Sequence, residues 1–373
     1  MLVVGAVVFV DTMFYAAIAP LLPGLAHELR LSKLSAGVLT ASYAVGMLVG
    51  SLPGGVLAVR AGPKRAVYLG LALLGASTLA FGFVRSAVGL DIARFVEGVG
   101  GACSWAGGLA WIVADVPERR RGAMIGGAVG AAIGGALLGP VIGTIANAIG
   151  RGPTFSAVVV LSLALIAAAS RIPLVHDASG QGVAHLGSAL RSRVMIVGMW
   201  LVALPAVASG LVNVLGPLRL HRLGAAAAVI GAVFLAGAAI EAAVSPAVGS
   251  LSDRRGRLVP MRFGLVAATV LLACFTVPDS AATLALLIVA IATTLGMFWA
   301  PAMALLADAA AAQRLDQALA AALMNVAWAA GQIIGSGAGG ALAKAAGDAA
   351  PTLLAAGVCA ATLALLRGRL RYA

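Results

Sequence analysis

The sequence predicts an all-α membrane protein with twelve transmembrane helices in two pseudo-symmetric six-helix bundles. Three observations predict it. Uncharged runs long enough to cross a bilayer recur along the chain, among them Leu34–Val59, Ala66–Val84, Gly122–Gly150, Val194–Leu218, Ser280–Ala307 and Gln317–Ala343; roughly 20 residues span a hydrocarbon core, and a soluble fold buries one such helix, not this many. Of the 373 residues, 62% are hydrophobic and 10% charged, against about 25% charged in an average soluble domain. The remaining charges collect in short breaks, and those breaks repeat between the two halves of the chain.

Taken in order, the expected spans are 2–26, 35–59, 66–84, 88–112, 122–148 and 152–171, then 194–217, 224–250, 261–277, 280–305, 317–343 and 349–367. The first opens at residue 2 and holds Asp11. The second ends at Arg60, the third lies between Arg65 and Arg85, and the fourth carries Arg94 and Glu97 in an otherwise apolar run. The fifth follows Arg119–Arg121 and is rich in glycine; the sixth runs from Arg151 to Arg171. The longest connection, about 172–193, contains Pro173, Gly180, Gln181 and Gly182. It reads as a cytoplasmic linker (173–193) between an N-terminal bundle (1–172) and a C-terminal bundle (194–373).

With both termini inside, seventeen Lys and Arg residues fall in inner loops and seven on the outer side. The positive-inside rule therefore places the termini in the cytoplasm of a multi-pass plasma or inner-membrane protein. The same distribution accounts for the net charge of +12 without a nucleic-acid partner, because no continuous basic stripe exists. The partners expected are the bilayer, protons and a small organic substrate, with the protein acting as a monomer. Cys103, Cys274 and Cys359 lie in apolar runs with neither disulfide nor metal spacing. No secretory n-region precedes the first span, so a cleaved signal is not expected, and a native start upstream stays open. His27, His176, His185 and His221 lie in or near loops and form no metal cluster. No Gly-x4-Gly-Lys-Ser/Thr loop is present, so neither cofactor, direct ATP drive nor enzymatic chemistry is expected.

The halves echo each other. Gly55-x4-Arg60-x-Gly62 returns as Gly249-x4-Arg254-x-Gly256, 194 residues on, and Asp115 with Arg119–Arg121 returns as Asp308 with Arg314, 193 on. Related bundles around a central path suit alternating access. The loop Asp253-Arg254-Arg255-Gly256-Arg257 reads as a gate latch. Its first-half counterpart has Val59 where an acid is needed, so the two latches are expected to be unequal. In the fifth span Gly122, Gly126, Gly130 and Gly134 recur at four-residue spacing, with Gly135, Gly139 and Gly143 on an adjacent face and Pro140 between. Such spacing lets helices approach closely, and the proline removes a backbone donor, so this span reads as part of an outer gate, with plain packing as the alternative.

A charge at bilayer depth is expensive and is usually kept for transport or a specific internal pairing. Asp11 lies about 14 Å along the first span at 1.5 Å per residue. Arg94 and Glu97 are three apart and share a helix face, and Arg94 is expected to compensate an acid of the same half, Asp11 or Glu97. Glu241 lies deep in the eighth span. These four are the expected proton-coupling residues, with fixed structural ion pairs as the alternative. Asp11, Tyr15, Trp105, Asn213, Trp299, Asn325, Trp328 and Gln332 are the expected substrate-cavity residues. Asn325, Trp328 and Gln332 share much the same face of span eleven.

Together these motifs resemble the major facilitator superfamily, and more narrowly its twelve-helix drug/proton antiporter group. Gly249-Ser-Leu-Ser-Asp253-Arg254-Arg255-Gly256-Arg257 is similar to the family's loop between the second and third helices of a half. Arg94-Phe-Val-Glu97-Gly98 resembles its fourth-helix proton-coupling motif, with Glu97 where glutamine often stands. Gly130-Ala-Ala-Ile-Gly134-Gly135-Ala-Leu-Leu-Gly139-Pro140 resembles its fifth-helix antiporter motif, and the stretch from Asp11 to Pro23 is similar to the first helix of multidrug and monoamine antiporters. The resemblance implies multidrug-type efflux: a proton-coupled antiporter exporting a small amphipathic compound, a cation being one option, with export of a neutral sugar, nucleoside or other metabolite as the alternative.

Overall fold

The structure, a computed structural model, describes residues 2–115, 118–172, 191–313, 315 and 317–368. The linker expectation therefore lies largely outside the described residues, as does the side chain of Asp253. The chain runs α1 (Leu2–Ala16), α2 (Ile18–Glu28), α3 (Lys33–Ala61), α4 (Pro63–Phe83), α5 (Ala87–Asp115), α6 (Glu118–Ile149) and α7 (Arg151–Ser170) in its first half. The second half comprises α8 (Arg193–Arg222), α9 (Ala227–Arg255), α10 (Leu258–Ala273), α11 (Ala281–Ala312), α12 (Gln317–Gln332), a π-helical turn (Ile333–Ala338), α13 (Gly339–Ala346) and α14 (Ala349–Gly368).

Helices α1 and α2 form one crossing broken at Ala17, and α12, the π turn and α13 form another. Among the described residues, ten segments are long and apolar enough to cross a membrane. The other two differ for opposite reasons: α5 has the length but carries Arg94 and Glu97, and α10 is apolar but only 16 residues long. Twelve crossings result, one for each span read from the sequence. The helices overrun several expected boundaries, as with 33–61 against 35–59, because hydropathy marks the bilayer slab whereas the backbone hydrogen-bond ladder continues past it.

The duplicated architecture is visible in the backbone. Gly62 at φ 97° separates α3 from α4, and Gly256 at φ 87° separates α9 from α10; a side chain would strain either turn. Left-handed residues also match at Arg30 and Gly224 and at Gly150 and Gly347. At the first of these pairs even the closing hydrogen bonds repeat, Leu31 N–H to Ala26 and Ala225 N–H to Leu220, the six-residue closure of a Schellman end.

Within the first half α3, α4 and α5 pack together and α1 lies on α6. The α3–α5 contact is close because Gly46 faces the Phe95 carbonyl and Gly98 faces the Tyr43 carbonyl. The halves meet along two seams. Helix α3 lies against α12, the π turn and α13, while α2 and α6 lie against α8 and α9. At the first seam Gly37 faces the Ser336 carbonyl and Gly340 faces Lys33. An odd number of connections leaves both chain ends on one face; the Lys33–Asp348 and Arg222–Asp348 contacts lie on the opposite face.

Candidate functional site

The breaks in the helices lie where the halves enclose space. A cavity of about 300 Å³ is lined by Tyr15, Ala16, Ile18 and Ala19 around the α1–α2 break, and by Pro140 of α6. Across from them stand Pro205, Ser209 and Asn213 of α8, Phe234 and Glu241 of α9, Trp299 of α11, and Trp328 and Gln332 of α12. The π turn begins directly after Gln332, and π turns open a helix locally, often beside functional sites. Glycines 331 and 335 bring that segment against the α8 backbone. Gln332 donates to the Ser209 hydroxyl at 2.8 Å. Among the described residues of the lining, Glu241 is the lone carboxylate and there is no Lys, Arg or His; Gly296 leaves room for its side chain, since a Cβ there would lie 3.2 Å from the Glu241 carboxyl carbon.

A second group of polar residues lies behind this wall in the first half. Asp11, 1% exposed, accepts hydrogen bonds from the Tyr43 hydroxyl at 3.1 and 3.2 Å and from the Trp105 indole at 3.2 Å. Its direct partners are neutral donors. Arg94, 2% exposed, donates to both oxygens of Glu97 at 3.0 Å and approaches the Phe14 and Tyr15 carbonyls at 3.5 Å. Its guanidinium lies 5.0 Å from the Tyr43 ring centre and 5.8 Å from that of Tyr15, within cation–π range. Gly101 makes the space: a Cβ there would stand 2.7 Å from both an Asp11 oxygen and the Tyr43 hydroxyl.

Three rings connect the two regions. Tyr15 packs on Tyr43 with ring centres 4.9 Å apart and planes tilted by 44°, and meets Trp328 edge-on at 5.3 Å, while Tyr43 and Trp328 are 6.1 Å apart. Tyr15 and Trp328 line the cavity; Tyr43 holds Asp11. One aromatic layer therefore separates the buried charges from the central space.

Of the residues expected in the cavity, Tyr15, Asn213, Trp299, Trp328 and Gln332 line it. Asp11 and Trp105 bond to each other behind the aromatic layer. Asn325 lies off the lining, with its Nδ2 buried and without a partner among the described residues. Of the expected proton-coupling set, Arg94 pairs with Glu97 and not with Asp11, and Glu241 stands apart in the cavity wall. Sequence reasoning missed Tyr43 and Ser209; the one tyrosine in the uncharged second span, and a serine next to Gly210 in the seventh, were the available signals.

The residues expected to gate divide by contact. Gly135, Gly139 and Gly143 face Phe9, Met13 and Ala17, so they pack α6 onto α1 and α2 of their own half; Gly134 meets the Phe9 ring, and the Gly130 site is open. Contact with the other half runs through the Pro140 carbonyl and Thr144, both beside Gly231 of α9. In the second-half loop Arg257 pairs with Asp308 at 2.6 Å, and Arg254 is exposed. The first-half counterpart is built differently. Gly55 is buried, Arg60 is exposed, and Lys64 turns inward to the carbonyls of Ser170 and Ile172 at the end of α7.

The family model for the Major Facilitator Superfamily matches residues 4–310 and 198–371. An uncharacterised MFS-type transporter of Methanocaldococcus jannaschii is 30% identical over 124 residues, 33% of this chain and 32% of that protein's length. Among solved structures, a partially occluded inward-open conformation of the xylose transporter XylE from E. coli superposes with a TM-score of 0.78 at 15% identity, covering 100% of this chain and 96% of that one. The nucleoside transporter NupG follows at 0.76 and 12%, covering 98% of each, and a D-xylose-proton symporter at 0.73 and 18%, covering 96% of each. These superpositions establish the shared fold, and the family match establishes kinship with transporters and not with enzymes: this multi-pass membrane chain belongs to the Major Facilitator Superfamily.

Proposed function

We propose that the protein is a proton-coupled secondary antiporter that exports a small amphipathic organic compound by alternating access. It works as a monomer in a plasma or inner membrane, with both termini cytoplasmic. The observation that carries this reading is the placement of Asp11 and the Arg94–Glu97 pair one ring layer behind a cavity built from both halves. Protonation of Asp11 changes what the Tyr43 hydroxyl and Trp105 indole bond to, and Tyr43 touches both cavity rings, Tyr15 and Trp328. A proton on one side of that layer and a substrate on the other then favour different arrangements of the same rings. Each ligand shifts the carrier only through its differential affinity for the two states. The walls suit the cargo: mostly apolar and aromatic, with a few polar groups. The Lys33–Asp348 contact joins the halves on the outer side in this orientation.

Export of a neutral sugar, nucleoside or other metabolite is the second reading. Ser209, Asn213 and Gln332 give the cavity hydroxyl and amide groups that match such cargo, and the xylose and nucleoside transporters share the fold. A substrate screen in proteoliposomes under an imposed pH gradient tests both. Gradient-driven movement of amphipathic compounds that disappears in Asp11→Asn supports the first reading. Normal gradient-driven transport by Asp11→Asn removes that residue from the mechanism, and exchange restricted to neutral metabolites replaces the first reading with the second.

A further inference from the structure

Away from the central cavity, on the face opposite the termini, the ends of α2, α4 and α6 and the start of α7 enclose a second space of about 240 Å³. It is lined by Gly24, Glu28, Arg85, Asn147, Gly150 and Arg151, among others. Two arginines here share one acid. Arg85 and Arg151 each reach the same Glu28 oxygen at 3.4 Å, a long separation for a charge-assisted bond. One positive charge is therefore left over. The Arg151 side chain is 8% exposed, and its Nη1 is buried with no acceptor among the described residues, a costly condition for a donor. Helix α7 begins at this point with no side-chain cap; the first N–H groups of a helix lack internal partners and favour an anion. Excess positive charge, an unpartnered buried donor and an uncapped 20-residue helix thus converge on one cavity.

We propose that this cavity binds a phosphate group, held by Arg85, Arg151 and the start of α7, and supplied by the headgroup of a phospholipid in the adjacent leaflet. The surroundings favour a lipid over a dissolved ion. Phe83 and Ile149, the last residues of α4 and α6, are 61% and 63% exposed, and the Phe83 ring lies against Gly152 in the first turn of α7. Acyl chains can therefore run beside the apolar rim while the phosphate sits among the arginines. Glu28 competes with the phosphate for both guanidiniums.

The test is lipid retention by the purified full-length protein, read by native mass spectrometry with phosphatidylglycerol, with diacylglycerol as the phosphate-free control and inorganic phosphate as competitor. The parent retains phosphatidylglycerol and not diacylglycerol. Arg85→Gln and Arg151→Gln each lower retention about tenfold, the factor for losing one charge-assisted hydrogen bond, whereas Glu28→Gln raises it severalfold by removing the competing carboxylate. Arg85 is exposed, so its variant keeps the test valid if Arg151→Gln fails to fold. Displacement of the lipid by millimolar inorganic phosphate keeps the phosphate site and moves its source to solution. Equal retention by parent and Arg85→Gln, or weaker retention by Glu28→Gln, overturns the proposal.

Discussion

The two halves repeat one backbone and divide the chemistry unequally. Left-handed turns recur at matched positions, including Gly62 and Gly256. Yet the first half buries a sealed charge cluster, Asp11 with Arg94 and Glu97, whereas the second presents a single carboxylate, Glu241, to the cavity. The matching loops of the two halves differ in the reverse sense. Arg257 pairs with Asp308 in the second half, but its first-half equivalent, 194 residues earlier, is Pro63, which has no charge to offer. Lys64 instead caps the carbonyl end of α7. Duplication preserves turns, which backbone geometry dictates, and leaves side chains inside each bundle free to specialise.

The largest expected effect is on the sealed cluster. Arg94→Met strands Glu97 in an apolar interior and should cost about 3–5 kcal/mol, the usual penalty for removing one partner of a buried pair. Thermal unfolding in detergent measures it. Adding Glu97→Met should recover most of that loss; a double variant no more stable than the single would break the claim that the pair is compensated internally.

Next is the packing that seals the cluster. Gly98→Ala drives a methyl into the Tyr43 carbonyl and should cost about 1–3 kcal/mol by overpacking. Gly130→Ala meets open space and should stabilise α6 by up to about 1 kcal/mol through helix propensity. The same unfolding assay distinguishes a glycine needed for close approach from one that is merely part of the spacing pattern.

A smaller effect concerns the inter-half contact. Of the six ion pairs among the described residues, Lys33–Asp348 is the one that joins the halves. Burial alone would raise the Asp348 carboxyl, but hydrogen bonds and charge from Lys33 and Arg222 outweigh it and hold the group below its ordinary value. A depressed carboxyl contributes above its unfolded value and loses that contribution as pH falls through its folded value. The contact should thus persist at neutral pH and weaken only at pH below the ordinary carboxylate range. Lys33 and Arg222 are partly exposed, so Asp348→Asn should shift the balance between states by on the order of 1 kcal/mol. Accessibility of an introduced cysteine at Gly337, where a Cβ would stand an ordinary 3.5 Å from Ala41 across the seam, reads that shift; unchanged labelling would show that glycine packing, not charge, holds this seam. Asp308→Asn, at an exposed pair, should change stability least, by less than about 1 kcal/mol.

Most of the fold was legible because bilayer thickness and charge bias act on whole segments, and twelve spans follow from counting them. The breaks were less legible. Pro20 accounts for the turn at Ala17, since it has no N–H to bond the Ala16 carbonyl, yet Pro53, Pro140 and Pro205 sit inside unbroken helices, so proline alone does not locate the break; the π turn after Gln332 arises where glycines meet α8 on one side and α3 on the other. Five of the eight cavity candidates line the space because polar and aromatic residues in apolar spans are conspicuous. Periodicity gives a helix face but not the neighbour it meets. For that reason the sequence suggested a gate seam for the α6 glycines, whose observed contacts are with α1 and α2, and left the partner of Arg94 open between Asp11 and Glu97.

The measurement that bears most directly on the division of labour between the halves is substrate counterflow and pH-gradient-driven transport, recorded side by side for Asp11→Asn in proteoliposomes. An asparagine oxygen still accepts from Tyr43 and Trp105, so the cavity should keep its shape. The account predicts counterflow within about threefold of the parent, because substrate exchange needs only the cavity, together with loss of gradient-driven accumulation. Retained accumulation, or loss of both activities in a protein that remains folded, would contradict it.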